Sequence, residues 1–282
     1  MVAYAATMGQ RGSVIGGPMP HKIPGQEEDL YRSKGGFLRD NRTGKPIVVR
    51  MPSIPNYVLE RILRKEPARA GVVPNSTPVV SFGDARTARV ATLALNPSRR
   101  EFFPTPRLAV KGSSPEEVFM GCNNYFHNCP YRWFDHFRPS LNAFRASYGD
   151  GSACHLDLVQ WATDPVWRGL ARPVRERLIN EDAPFLKKQL RTNENIGLLL
   201  VNGSGVWRQL CRRLGVEDIH SFPDALSGFS YHPMRFFSGS LFGRLRILAW
   251  STNLQSSPGV TDVLCEKKLP ARLAELYAER WG

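Results

Sequence analysis

Three polar stops interrupt apolar stretches of the 282-residue chain, and each brings groups able to do chemistry. Asn96-Pro97-Ser98 closes the run Val90 to Leu95, Asp157 follows Ala153-Cys154-His155-Leu156, and Asn253-Leu254-Gln255-Ser256-Ser257 comes soon after Leu245 to Trp250. An asparagine amide cannot take a proton at neutral pH but can orient a water, an ionised aspartate only accepts hydrogen bonds, and serine hydroxyls suit phosphate oxygens. Pro97 cannot continue a strand ladder and biases Asn96 away from helical angles, so the Asn96 side chain is held in one direction. Structural duties compete with these roles: Asn96 as a cap on the following turn, and Asp157 as the partner of a nearby arginine or of His155.

Positioning these stops requires a sheet. The segments Val90–Leu95, Ala153–Leu158, Ile196–Val201 and Leu245–Trp250 are near-continuous apolar runs, as expected of parallel strands covered on both faces. Helical patterns separate or flank them. One opens near Ser53 and Pro55, with Ser53 as its cap and Ile54, Val58, Leu59, Ile62 and Leu63 on one face. The others begin at the capping box Ser114-Pro115-Glu116-Glu117, span roughly Arg172 to Leu190 and Ser204 to Leu214, and end the chain from about Thr261 to Trp281. The expected fold is α/β: a three-layer α/β/α sandwich around a central four-stranded, mostly parallel sheet, with ligands in the crevice beyond the carboxyl ends of the strands. Residues 227–242 read as an aromatic loop, and no internal repeat is present.

Length and 42% hydrophobic content allow a full-sized core and exclude disorder throughout. Residues 1–50, rich in Gly, Pro, Lys and Arg, read as a flexible basic arm, and 51–282 as a single domain. Thirty-eight Lys and Arg against 25 Asp and Glu give +13, which points to a polyanion: nucleic acid first, an anionic membrane surface second. No stretch reaches the ~18 apolar residues of a membrane span and no secretory leader is visible, so a cytoplasmic protein is expected. The five cysteines are scattered without a Cys-x-x-Cys pair, so no metal site is expected. No cofactor and no obligate protein partner is called for.

The order and placement of the three stops resemble the uracil-DNA glycosylase superfamily over roughly residues 78–280, and Asn-Pro in the first is similar to its mismatch-specific and single-strand-selective branches. The resemblance implies that Asn96 holds the water that attacks C1′ of a flipped nucleotide. It further implies that Asn253 stabilises the leaving base, and that Gln255, Ser256 and Ser257 belong to a DNA-clamping loop. Asp157 stands where the uracil enzymes carry a base-reading Asn. An ionised carboxylate opposes uracil O4 but accepts from the cytosine N4 amine. Ser98 stands where the uracil enzymes carry a tyrosine against the 5-position, and leaves that space open. Phe102 or Tyr125 is the expected stacking partner of the flipped base.

The implied activity is a DNA glycosylase without lyase chemistry, since no lysine is placed near Asn96 for a Schiff base, acting on a 5-substituted cytosine. Bacterial antiviral glycosylases of this superfamily, which excise glucosylated hydroxymethylcytosine from phage DNA in the bacterial cytosol, resemble this reading most; the loop 227–242 would then line space for the sugar. Uracil or deaminated-base repair and a noncatalytic DNA-binding module are the alternatives.

Overall fold

The structure, a computed structural model, describes residues 53–128, 130–226, 233–257 and 260–282, and the backbone of 31–32, 38–39 and 46–47. The chain divides into two compact units, Met1–Ser53 and Ile54–Gly282. In the first, β1 (Tyr31–Arg32), β2 (Leu38–Arg39) and β3 (Pro46–Ile47) form an antiparallel ladder in which Leu38 faces Arg32 on one side and Ile47 on the other. The composition of the segment gives no signal of this pairing. Most of the arm expected over 1–50 lies outside the described residues.

The second unit runs α1 (Asn56–Ile62), β4 (Val90–Ala94), α2 (Pro115–Asn123), α3 (Tyr125–Asn128), α4 (Arg138–Ala143), β5 (Ala153–Asp157), α5 (Arg172–Thr192), β6 (Leu198–Asn202), α6 (Ser204–Leu214), β7 (Glu217–Ser221), β8 (Phe236–Leu241), β9 (Leu245–Trp250) and α7 (Leu269–Trp281). Its strands form one sheet in the order β5-β4-β6-β9-β8-β7. The first four are parallel, and β8 and β7 add antiparallel to β9. The α/β class therefore holds, but the sheet has six strands and is mixed, where four were expected.

The four expected strands are the parallel part; the two additions lay in segments without a clear buried run. Every residue of β7 is exposed, so it carries no apolar signal. In β8 the aromatic pair Phe236-Phe237 reads as loop until its hairpin is seen, with Leu241 paired to Leu245 and positive φ at Phe242 and Gly243. A side chain at Gly239 would collide with Val216 and bring its Cβ within 3.0 Å of the Glu217 carbonyl. Glycine is therefore required where this edge closes.

β4, β5 and β6 are buried along their whole length and β9 at every position but Arg246, and their side chains feed two cores, one on each face of the sheet. Val90, Leu200 and Leu248 pack with Phe119, Leu141 and Leu273 from α2, α4 and α7. Ala91, Leu93 and Val201 pack with Leu186 and Leu210 from α5 and α6. Ser114 and Glu117 form the expected reciprocal capping box on α2. On α1, however, Pro55 occupies the cap position with no side-chain cap, and Leu63 is exposed. Arg61 takes the inner face instead and pairs with buried Asp182 at 2.8 Å. Because β5 lies on one side of β4 and β6 on the other, the strand order reverses at β4. In α/β sheets the ligand crevice opens at such a reversal, and here Asn96 lies beside it.

Candidate functional site

Beyond the carboxyl ends of β4, β5, β6 and β9 opens a cleft of about 770 Å³. All three polar stops reach it: its lining includes Asn96, Ser98, Asp157, Asn253, Gln255, Ser256 and Ser257.

Asn96 is fixed in orientation. Its Nδ2 donates to the Pro97 carbonyl (3.1 Å), the Trp161 carbonyl (3.3 Å) and the Thr163 hydroxyl (3.3 Å). Two of these acceptors are carbonyls, which cannot donate, so nitrogen must be the atom turned toward them. The Oδ1 is left as an acceptor with no partner among the described residues. Capping of the following turn, the competing duty for Asn96, falls instead to Ser98, whose hydroxyl oxygen accepts from the Arg100 amide at 3.2 Å.

Asp157 and His155 share one face of β5, two residues apart. His155 is held from behind: Nδ1 lies 2.6 Å from Thr92 Oγ1, which lies 2.6 Å from the Tyr148 hydroxyl. Its Nε2 is 3.5 Å from Asp157 Oδ1, too far for a well-formed hydrogen bond. Oδ1 is sealed from solvent and receives no hydrogen bond from any described group. Burial pushes the Asp157 carboxyl above the usual range, outweighing the opposing pull of His155. No arginine pairs with Asp157 among the described residues.

The loop after β9 is tied to β6 through Asn202. Its Oδ1 accepts from Trp250 Nε1 (3.0 Å) and the Leu254 amide (3.1 Å), and its Nδ2 donates to Gln255 Oε1 (2.8 Å). Gln255 in turn donates from Nε2 to the Trp133 carbonyl at 3.2 Å. Gln255, expected at the DNA, therefore has its amide engaged at both ends inside the protein. Asn253 Oδ1 accepts from the Gln255 and Ser256 amides (3.0 and 3.1 Å), leaving Nδ2 as a donor without a described partner. Ser256 is exposed and Ser257 half-buried. Gly203, at φ +97° beside Asn253, allows β6 to turn directly into α6.

The expected stacking residues lie elsewhere. The short 3-10 turn Arg99–Glu101 carries Phe102 into the core, and Tyr125 is buried with its hydroxyl donating to Glu101 Oε2 at 2.7 Å and accepting from the Tyr131 amide at 3.0 Å. Neither is among the lining residues. The aromatic lining is Phe82, Trp133, Phe134 and Trp167. Trp133 and Phe134 lie in a stretch dense in aromatics, from Tyr125 to Phe144, with nothing in the spacing to single them out.

Glu101 also lines the cleft, and its carboxyl is pushed up to about 7 by burial, with Asp157 adding to the shift and Tyr125 and Arg107 opposing it. At the rim stand Arg99, which pairs with Asp164 at 3.0 Å, and Arg168, Arg175 and Arg208, which have no carboxylate partner among the described residues. Val166, 65% exposed, sits beside Trp167. The start of α6 has no side-chain cap and also faces the cleft.

Of the loop expected to accommodate a sugar, residues 227–232 lie outside the described residues. Most of the remainder is β8, and no residue of 233–242 is among the cleft lining. Among the described residues no group of three or more His, Cys, Asp or Glu is placed to hold a metal ion, and no helix is long and apolar enough to cross a membrane. Compared with known proteins, the chain matches no protein-family model and no curated protein, so the chemistry of this cleft rests on its own residues.

Proposed function

We propose that the chain is a DNA glycosylase of the uracil-DNA glycosylase type that excises a 5-substituted cytosine, namely glucosylated hydroxymethylcytosine in phage DNA, and leaves abasic sites as an antiviral defence in the bacterial cytosol. The observation that carries the reading is the pairing, in one cleft, of an Asn96 Oδ1 free to orient a water with an Asp157 Oδ1 that is buried and unpartnered. A buried polar atom without a partner is costly unless a ligand supplies one.

Cytosine suits Asp157 in either protonation state. The ionised carboxylate accepts from N4–H, and the neutral acid accepts from N4–H while donating to N3. Asn96 orients the water toward C1′ as the N-glycosidic bond breaks, in a dissociative reaction that depends on positioning and surrounding charge. Asn253 Nδ2 is the donor available to the departing base. Trp133 replaces Phe102 and Tyr125 as the stacking residue. A cleft of about 770 Å³ lies in the upper part of the range for small-ligand pockets and leaves room for a base carrying a hexose. Arg168, Arg175, Arg208 and the uncapped start of α6 take backbone phosphates, and Val166 with Trp167 are the apolar groups available to enter the base stack.

Uracil excision is the second reading, favoured by the upward shift that burial gives the Asp157 carboxyl, since a protonated carboxyl donates to uracil O4 and accepts from N3–H. Incubation of the protein with DNA carrying cytosine, uracil or glucosylated hydroxymethylcytosine, followed by detection of free base and alkali-labile sites, separates the readings. Release from the glucosylated DNA alone, abolished in Asn96→Ala, is expected. Release from uracil DNA makes it a repair enzyme, and release from none leaves a DNA-binding module.

A further inference from the structure

Asn96 can orient a water but cannot exchange a proton, and cytosine is a poor leaving group unless its ring gains one. The cleft holds a second carboxyl that the mechanism above leaves unused. Glu101 is five residues past Asn96, brought back to the lining by the 3-10 turn that Ser98 caps. The turn is tied down by the Arg107 amide, which donates to the Glu101 carbonyl at 2.9 Å. Only 1% of the residue is exposed. Its Oε2 is fixed by the Tyr125 hydroxyl at 2.7 Å, and its Oε1 has no partner among the described residues.

We propose that Glu101 is a catalytic residue of this cleft: the general acid that protonates the departing base and afterwards recovers a proton from the attacking water. The assignment rests on the glycosylase reading. In the step, the C1′–N1 bond breaks with its electron pair passing to the base. The Glu101 proton passes to a ring nitrogen or carbonyl oxygen, so that the base leaves as a neutral tautomer. Water then adds its oxygen to C1′ and loses a proton, which returns Glu101 to the acid form. No oxidant, metal or further reactant is consumed.

The surroundings fit an acid better than a fixed anion. The groups facing the carboxyl are the Tyr125 hydroxyl from α3, the Arg107 guanidinium from the following loop and Asp157 from β5. One cation and one hydrogen bond do not offset burial and a second carboxyl, so the acid form persists to about pH 7, where proton donation is most effective. A purely structural partner for Tyr125 would need only an acceptor, which glutamine supplies equally well.

Glu101→Gln keeps the size of the side chain and an acceptor for Tyr125, and tests the assignment. Single-turnover release of the base from glucosylated DNA is followed across roughly pH 5.5 to 9 for wild type and variant, with DNA affinity measured alongside. The expected result is a wild-type rate that falls above about pH 7. Glu101→Gln should be about 100-fold slower or more, without that alkaline fall and with unchanged DNA affinity. An active wild type whose Glu101→Gln variant keeps both its rate and its alkaline fall overturns the assignment while leaving the glycosylase reading standing. A wild type that releases no base from any of the DNAs overturns both.

Discussion

Asn96 and Thr163 meet at 3.3 Å across the mouth of the β4–β5 pair, the amide nitrogen donating to the hydroxyl as it also donates to the Trp161 and Pro97 carbonyls. This anchorage makes Asn96 poorly replaceable by aspartate, although a carboxylate is the stronger base. A carboxylate oxygen there would face two carbonyl oxygens. Asn96→Asp should therefore lower stability by about 1–3 kcal/mol, read by denaturant unfolding, and should not raise the excision rate. Asn96→Ala should abolish excision.

On the proposed glycosylase reading, Asp157 sets the base preference. An amide in its place donates to uracil O4 and accepts from N3–H. Asp157→Asn should shift the ratio of cytosine-derivative to uracil excision toward uracil by about 5- to 150-fold, the range of one well-formed base contact. Competition between the two substrates in one reaction measures it directly.

Glu101 has a consequence for stability that needs no substrate. The folded carboxyl keeps its proton to about pH 7, whereas an unperturbed one loses it near 4.5. Between these values the native state binds more protons than the unfolded state, so this group's contribution to stability falls as pH rises. Glu101→Gln should match wild type below about pH 4.5 and exceed it above pH 7, by up to about 3 kcal/mol. Unfolding curves at the two ends of the range check both size and sign.

The rim arginines should act through salt. Replacing Arg168, Arg175 or Arg208 by glutamine should weaken DNA binding without changing which base is released, and each lost phosphate contact should reduce the slope of log affinity against log salt by about 1. Titrations at several salt concentrations give the slope.

How much of this was legible in the chain follows from burial. β4 and β9 are fully or almost fully buried, so their apolar runs mark them, and Ser204–Leu214 is found where its helical spacing of Val206, Leu210 and Leu214 puts it. β7, exposed along its length, left no such mark. The polar stops were legible because a polar residue ending an apolar strand has to emerge at the rim. Glu101 was not, because Ser98-Arg99-Arg100-Glu101 reads as a solvated charged turn until the chain curls back under Tyr125. Phe102, Tyr125 and Gln255 had suitable chemistry, but the core and the Asn202 network claim them.

Asp157 and Glu101 each carry an oxygen that no described part of the protein uses. A sequence selected for folding alone would exchange both for amides or apolar groups. If the glycosylase reading holds, a lineage released from its DNA target should therefore shed these two carboxyls long before the sheet beneath them decays. Their presence or loss among descendants would date when the activity ceased to matter, much as a worn key outlasts its lock.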